Sequence, residues 1–529
     1  MDITNKNFNQ EFDSIIKCLK KSCFIGFDAE FTAILSGECF KYRLFDTNKE
    51  RYDRMKDEVC KMIMSQVGLT MFQYDRDNDR YISHTYTFHL CPQVFGDINQ
   101  SFTFQASAIR FLCQHNFDYN KFTYDGLPYM SRSEEAHIKK QLKEKTLLNN
   151  LIQAMEMNDE RKLQSYCSEV AKWLVNSTDD TLYLDIDNPI MRYIVHCELR
   201  NRFPEVLTTD SLGNSHKVLI YRNGDVDGAT SASMSTLEGN LMSYVLGFSQ
   251  IIELLEEYKK PIIGHNMFLD TLLLHSQFIG PVPKRYSAFK KNINNLFPNI
   301  YDTKYISHEM GRKLTLDEVW KSNALQDLYE FFYEGKCKKL QKGLSQIKLN
   351  IPFDVKQSYH EAGWDSYCSG YCFIRLGEWS STDHRGTARP ASPNEIISSL
   401  SSYCNKVNVI RSAVAYMNLI DEDPPSHRPE LLHIRSLREP AIRMSQVSSL
   451  LSGFGALDIK PYGARTALIA AGTHHTANKL LRHFNHHEDY RITPFKPFRH
   501  SPTGRLAIWG GALITGTIVI YFIHKKVNK

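Results

Sequence analysis

The stretch "CFIGFDAEF", Cys23 to Phe31, decides how the rest of the chain is read. It begins apolar, as a buried strand requires, yet presents two carboxylates one residue apart. Successive strand side chains alternate between faces, so Asp28 and Glu30 point the same way, roughly 7 Å apart along the chain. Ionised together in apolar surroundings they repel and are poorly solvated, so they need a cation or a raised pKa. A strand end whose acids simply reach water stays open as an alternative on this segment alone.

The remaining acids in telling contexts are Asp270 in "GHNMFLD" and Asp365 in "YHEAGWDSYCSG". With Asp28 and Glu30 they make a set whose charge two Mg²⁺ ions would neutralise, and hard, oxygen-only ligands suit Mg²⁺ or Mn²⁺. Two such ions about 3.5–4 Å apart clamp the attacking and leaving oxygens of an in-line phosphoryl displacement and lower the pKa of a bound water. His360 is the candidate base for that water. It precedes Asp365 by five residues, about 140° away around a helix, which places it on the loop or first turn before the helix.

The surrounding pattern is α/β. Phe8, Phe12, Ile15, Ile16 and Leu19 carry helical spacing, and Val67–Asp75 and Tyr81–Leu90 read as paired strands. A helix is expected near Ala106–Gln114 and a charged helical stretch from Ser131 to about Met157. Lys260–Phe278 reads as a short buried strand entering a helix, Asn299–Ile306 as another strand, and a last helix begins near Tyr359. Strands mixed with crossing helices give a layered domain in two parts, 1–160 and 226–376. The interval 161–225 has strand and helix signals of its own. Within it Arg192 and His196 are four apart on a helix and share a face, as an ordinary surface pair also would.

Residues 377–429 are rich in Ser, Pro, Asp and Gly and read as a linker with one helical segment. Residues 430–500 follow the order strand, helix, strand, strand, helix, strand, the plan of a small RNA-recognition-type α+β domain. His474, His475, His483, His486 and His487 fit a polar helix face better than a metal site. The last feature is "LAIWGGALITGTIVIYFI", Leu506 to Ile523, 18 residues without a charge. As a helix it would rise roughly 27 Å, close to a hydrocarbon core. Its basic flanks and position favour a transmembrane tail anchor in the mitochondrial outer membrane, with the endoplasmic reticulum as the alternative, and a bulk facing the cytosol. Ala512 and Gly516 form a small-residue pair that either packs another helix or faces lipid.

Composition narrows little. The 529 residues suffice for several domains, and a net charge of +5 permits a nucleic-acid partner without demanding one. Twelve cysteines without a regular framework fit free thiols in a reducing compartment better than disulfides or zinc.

The motifs "FDAEF", "GHNMFLD" and "HEAGWD" resemble, in order, those of the DEDDh 3′→5′ exonucleases. With "IGFDAEFTAI", "FDYNKFTYDGLPY", "YDTK" and "HEAGWDSYCSGYCF", the chain is similar to the poly(A)-specific ribonuclease family. The resemblance implies an RNase H-like exonuclease domain interrupted by a small single-strand-binding α/β domain named for an Arg-x-x-x-His motif, which Arg192 and His196 supply as substrate contacts. It implies that Asp28, Glu30, Asp270 and Asp365 hold the metals, that His360 is the general base, and that Phe31 stacks on the terminal base unless it serves only as core packing. The recognition-type domain is degenerate: no tryptophan lies between Leu431 and Phe498, and "RTALIAA" lacks base-stacking aromatics. That absence and the apolar tail are similar to the membrane-anchored branch of the family, which shortens precursors of PIWI-interacting RNA. The partners this implies are single-stranded RNA with a free 3′-hydroxyl, a PIWI protein carrying it, a Tudor-domain scaffold, the lipid bilayer and a second copy of the chain as a homo-oligomer. A general deadenylase, a DNA proofreading exonuclease and an inactive RNA-binding adaptor are the competing readings.

Overall fold

The computed structural model describes all residues except 34–41, 211–216, 223–233, 313–319, 321, 338–339, 341–342, 351–357, 386–388, 427, 501–503, 505–514, 521–523 and 525–529. The chain divides into two compact units. One comprises Met1–Cys39, Asp53–Asn408 and Asn418–Glu422; the other comprises Phe40–Tyr52, Val409–Met417 and Asp423–Lys529.

In the first unit the acidic stretch becomes the central strand, Phe24–Phe31. It pairs antiparallel with Met64–Asp75 and parallel with Ile262–Gly264. Arg80–His89 and then Asp2–Ile3 extend the sheet on one side, and Ile300–Asp302 and Lys406–Asn408 on the other. The long helix Ala362–Arg385 packs on this sheet. Two glycines permit that approach. A Cβ on Gly68 would stand 1.8 Å from the Ala362 carbonyl oxygen, and one on Gly26 would stand 2.1 Å from that of Ser366. Phe24, Phe72 and Tyr81 fill the interface with Tyr367 and Phe373, the Phe24 ring lying 5.1 Å from Phe72 and 5.3 Å from Phe373. Burying several aromatic side chains of this kind, each worth about 1.5–3 kcal/mol, fixes the helix in place.

The expected charged stretch from Ser131 to about Met157 forms two helices, Arg132–Glu144 and Leu147–Gln153, and a third, Met157–Asn176, begins where it ends. Farther on, Thr181–Asp185, Lys217–Arg222 and Val206–Asp210 form a separate antiparallel sheet in that order. Helix Pro189–Arg202 starts at Asn188, whose side chain accepts from the Ile190 and Met191 N–H groups, with proline at the first helical position. Leu163, Val170, Trp173, Ile194 and Ile220 close its core.

The stretch read as helical within 377–429 is only partly so. Pro393–Ser399 is a short helix, after which Asn405 turns left-handed at φ 60° and Lys406–Asn408 joins the sheet. The Asn405 side chain explains the break: its amide donates to the Pro298 carbonyl at 2.7 Å and its oxygen accepts the Ile300 N–H at 3.1 Å.

In the second unit, four antiparallel strands take the order Leu457–Gly463, Thr466–Ala471, Leu432–Ser436, Tyr490–Pro494. Helices Met444–Leu451 and His474–His483 pack on one face over Leu432, Ile434, Ile469 and Ile492. Chain order is strand, helix, strand, strand, helix, strand, as the pattern of 430–500 predicts. The expected membrane span, Leu506–Ile523, falls mostly outside the described residues. Residues 515–520 are helical, and no helix among the described residues is long and apolar enough to cross a membrane.

Candidate active site

The central strand places Asp28 opposite Gly68 and Glu30 opposite Gln66. Because Gly68 has no side chain, the start of helix Ala362–Arg385 settles against the sheet there, and the Gln66 Oε1 accepts the Ala362 N–H at 2.9 Å. Thr70 and Ser366 share a hydroxyl hydrogen bond of 2.7 Å, and the Thr87 hydroxyl donates to Glu361 at 3.1 Å. These ties hold the turn that carries Asp365. Asp270 arrives on helix Phe268–Leu274, whose approach is organised by Asp302. The Asp302 carboxylate, fully buried, accepts the N–H groups of Asn266, Met267 and Asn408 at 2.9 Å each and of Lys304 at 3.0 Å.

The electrostatics of the set are unfavourable by construction. Burial, and then Asp365, Glu30 and Asp270, push the Asp28 carboxyl well above its ordinary range. Burial and then Asp365 do the same to Glu30. Burial, with Asp302 adding to it, raises Asp270 to about 7; burial, with Glu361 adding to it, raises Asp365 to about 7. These shifts report a group of acids that interact, with no cation paired to them among the described residues.

His360 stands just before the long helix, in the left-handed region at φ 65°. Its backbone N–H donates to Asp365 Oδ2 at 3.1 Å, which turns the residue toward the acids. Ligand atoms of Glu30, His360 and Asp365 all lie within 4.8 Å of one another. The other Asp365 oxygen, Oδ1, is buried and has no hydrogen-bond partner among the described residues. An orphaned carboxylate oxygen beside a second carboxylate and an imidazole fits a divalent cation. The His360 ring is exposed and backed by His115, with ring centres 4.2 Å apart, and by Phe111 at 4.9 Å. Burial and then His115 lower its pKa, so it is a neutral acceptor at neutral pH. Phe31 follows a β-bulge after Glu30 and is half-buried at the rim. A hollow of about 310 Å³ opens beside His360, bordered by Gln66, His115, Phe117 and Lys121.

Residues 3–373 match the CAF1 family ribonuclease pattern. The chain belongs to the CAF1 ribonuclease family. It is a 3′→5′ exoribonuclease. It is 56% identical over 526 residues to a pre-piRNA 3′-exonuclease trimmer of Bombyx mori, covering 99% of both chains. It is 27% identical to the poly(A)-specific ribonuclease PNLDC1 of Mus musculus, again over 99% of each. To the poly(A)-specific ribonuclease PARN of Danio rerio it is 23% identical, covering 95% of this chain and 78% of that one. Among solved structures, S. pombe Pop2p in an Mg²⁺- and Mn²⁺-bound form covers 71% of this chain and 91% of its own at 14% identity, with a TM-score of 0.35.

The structure brings Asp28, Glu30, Asp270, Asp365 and His360 to one place. Arg192 and His196 are placed otherwise. Arg192 is half-buried, but His196 is 1% exposed, and its Nδ1 shares a 2.9 Å hydrogen bond with the buried Thr208 hydroxyl. The same hydroxyl accepts from Arg200 at 3.0 Å. The imidazole fastens its helix to the small sheet, so His196 makes an internal contact, and the substrate role read from the Arg-x-x-x-His motif stays a proposal. Sequence reasoning missed Gln66, His115 and Asp302. Asp302 stood in the quoted "YDTK", and as an acid placed before a helix it carried a capping signal.

Proposed function

We propose that this exoribonuclease trims the 3′ ends of PIWI-interacting RNA precursors, releasing 5′-nucleotides from single-stranded RNA. The observation that carries the chemistry is the Asp365 carboxylate beside Glu30 and His360, its Oδ1 buried and without a hydrogen-bond partner among the described residues. Asp28, Glu30, Asp270 and Asp365 would hold two divalent cations, which when bound would supply Lewis-acid chemistry to the attacking water and the phosphate. His360 takes the proton of that water at its ring nitrogen, and the His115 and Phe111 rings orient it. Phe31, at the rim, offers a flat partner to the terminal base. Support for the substrate is the likeness to the Bombyx mori trimmer along essentially the whole chain. The apolar tail Leu506–Ile523 favours action at the mitochondrial outer membrane, with the PIWI-bound RNA delivered by a Tudor-domain scaffold.

The test is an Asp28→Asn protein. It is expected to fold and to leave 3′-hydroxyl RNA undigested, and cells carrying it are expected to accumulate precursors with extended 3′ ends. Unchanged digestion would remove the catalytic assignment. Normal digestion in vitro by the wild-type protein, with unchanged precursor lengths in depleted cells, would favour a general deadenylase instead.

A further inference from the structure

We propose that the exposed face of helix His474–His483 binds the phosphate backbone of the RNA whose 3′ end is being trimmed, at a distance from the terminal nucleotide. The proposal rests on the exoribonuclease assignment and adds a second binding surface to it. Two observations lead there. The first concerns the sheet face on which recognition-type domains usually stack bases. Core residues Leu432, Ile434, Ala467 and Ile469 point to the helices, so alternation sends His433, Leu468 and Ala470 to the opposite face. That face should be open, yet these residues are only 4%, 8% and 4% exposed. The chain itself covers them. The His433 ring lies 4.3 Å from His500 and 6.2 Å from Tyr462, and Phe495 packs on both Tyr462, at 5.3 Å, and His500, at 5.6 Å. Asp458, opposite Ala470, is occupied by the Arg411 guanidinium at 2.7 Å and by the Leu44 N–H. At His433, in the middle of this face, no free ring surface is left for a base to stack on.

The second observation is the charge on the other side of the domain. His475, Asn478, Lys479, Arg482 and His483 recur at helical spacing, all exposed, around a hollow of about 470 Å³. The helix contains no acid, and among the described residues Lys479 and Arg482 form no ion pair. Elsewhere on the same unit, Arg438 is paired with Glu488 and Asp489. Unneutralised cations at successive turns, about 5–6 Å apart, are suited to a polyanion. A lipid surface fits less well, because an interfacial helix needs apolar side chains beside its cations. Here Ala477, Leu480 and Phe484 are buried in the core.

The test compares full-length wild type with a Lys479→Glu/Arg482→Glu variant on a short RNA that fills only the active-site groove and on a long RNA, both with free 3′-hydroxyls. On the long RNA, KM is expected to rise about tenfold with kcat unchanged, and its dependence on log salt to flatten by about 0.7 for each phosphate that the variant no longer neutralises. The short RNA should show no change, and a Lys479→Arg/Arg482→Lys variant should restore the long-RNA KM. Equal effects on both RNAs, or none on the long one, would overturn the proposal. So would a charge-reversed variant that keeps its RNA kinetics but no longer binds vesicles containing anionic lipid. Failure of the exoribonuclease assignment is distinguishable, since the wild type would then leave even the short RNA intact.

Discussion

Asp28 and Asp458 both sit on strands of a β-sheet, and the difference between them is what stands opposite. Asp458 meets the Arg411 guanidinium at 2.7 Å and a backbone N–H, so its charge is answered within the protein. Asp28 faces Glu30, Asp270 and Asp365, and none of these acids forms an ion pair among the described residues. Polar groups satisfied internally are architecture. Buried charge left unsatisfied costs folding free energy, and a fold tolerates it where a ligand or a reaction makes use of it. The buried His196, held by Thr208, belongs with Asp458 by this criterion, although its motif pointed to substrate.

Neutralising one unanswered acid should have the largest effect. Asp365→Asn is expected to lower kcat on 3′-hydroxyl RNA by about three orders of magnitude, several kcal/mol of lost transition-state stabilisation. In chelator its melting temperature should stay level or rise, because a repelling charge has gone. A pH series of wild type in chelator adds the sign. Asp270 and Asp365 titrate near 7 when folded, against about 4 for free carboxyls, so between those values the folded form holds more protons. Stability should therefore be highest near pH 4 and fall as pH rises to 7, and added Mg²⁺ should abolish the fall. A melting temperature that climbs over that window would show that the acids are answered after all.

His360 comes next. Its replacement by alanine should cost about a hundredfold or more in kcat. In the wild type the acid limb of the kcat profile should lie below the ordinary imidazole value of about 6.5, because burial and His115 disfavour the charged ring. A limb above that value would mean that His360 is held in its charged form, and its place as base would fall.

The acids were legible because a strand has a period of two and metal chemistry demands oxygen. "FDAEF" placed two carboxylates on one face before any tertiary contact was known, and "GHN" and "HEAGWD" marked the others. The paired strands and the helix at Ala106–Gln114 were legible for the same reason, local periodicity. What could not be read was long-range. Gln66 and Ala362 are far apart in sequence, and their hydrogen bond follows from register and helix placement together. His115 backs His360 only because the C-terminal end of helix Ala106–Gln114 lies beside the site. The packing of Tyr462, Phe495 and His500 about His433 on the second unit's sheet is likewise invisible to periodicity, which reads one element at a time.

Smaller effects sharpen the boundary between site and scaffold. Gly68→Ala forces a methyl group against the Ala362 carbonyl, and overpacking of this kind costs about 1–3 kcal/mol. Thermal melts should show that loss, and kcat should fall with it because Asp365 rides on the displaced helix. Intact turnover beside lowered stability would show that the site adapts and that close packing does not set its geometry.

Asp458→Asn should do least. The pair with Arg411 is partly exposed, at 39% and 23% of the side chains, and exchanges of this kind change stability by less than about 1 kcal/mol. An asparagine oxygen can still accept the Leu44 N–H, so the unit should melt within a few degrees of wild type, with the difference shrinking as salt rises. Turnover of short RNA should be unchanged. A collapse of activity would mean that an answered charge on the closed sheet matters to the reaction, and the distinction between the two aspartates would no longer separate chemistry from architecture.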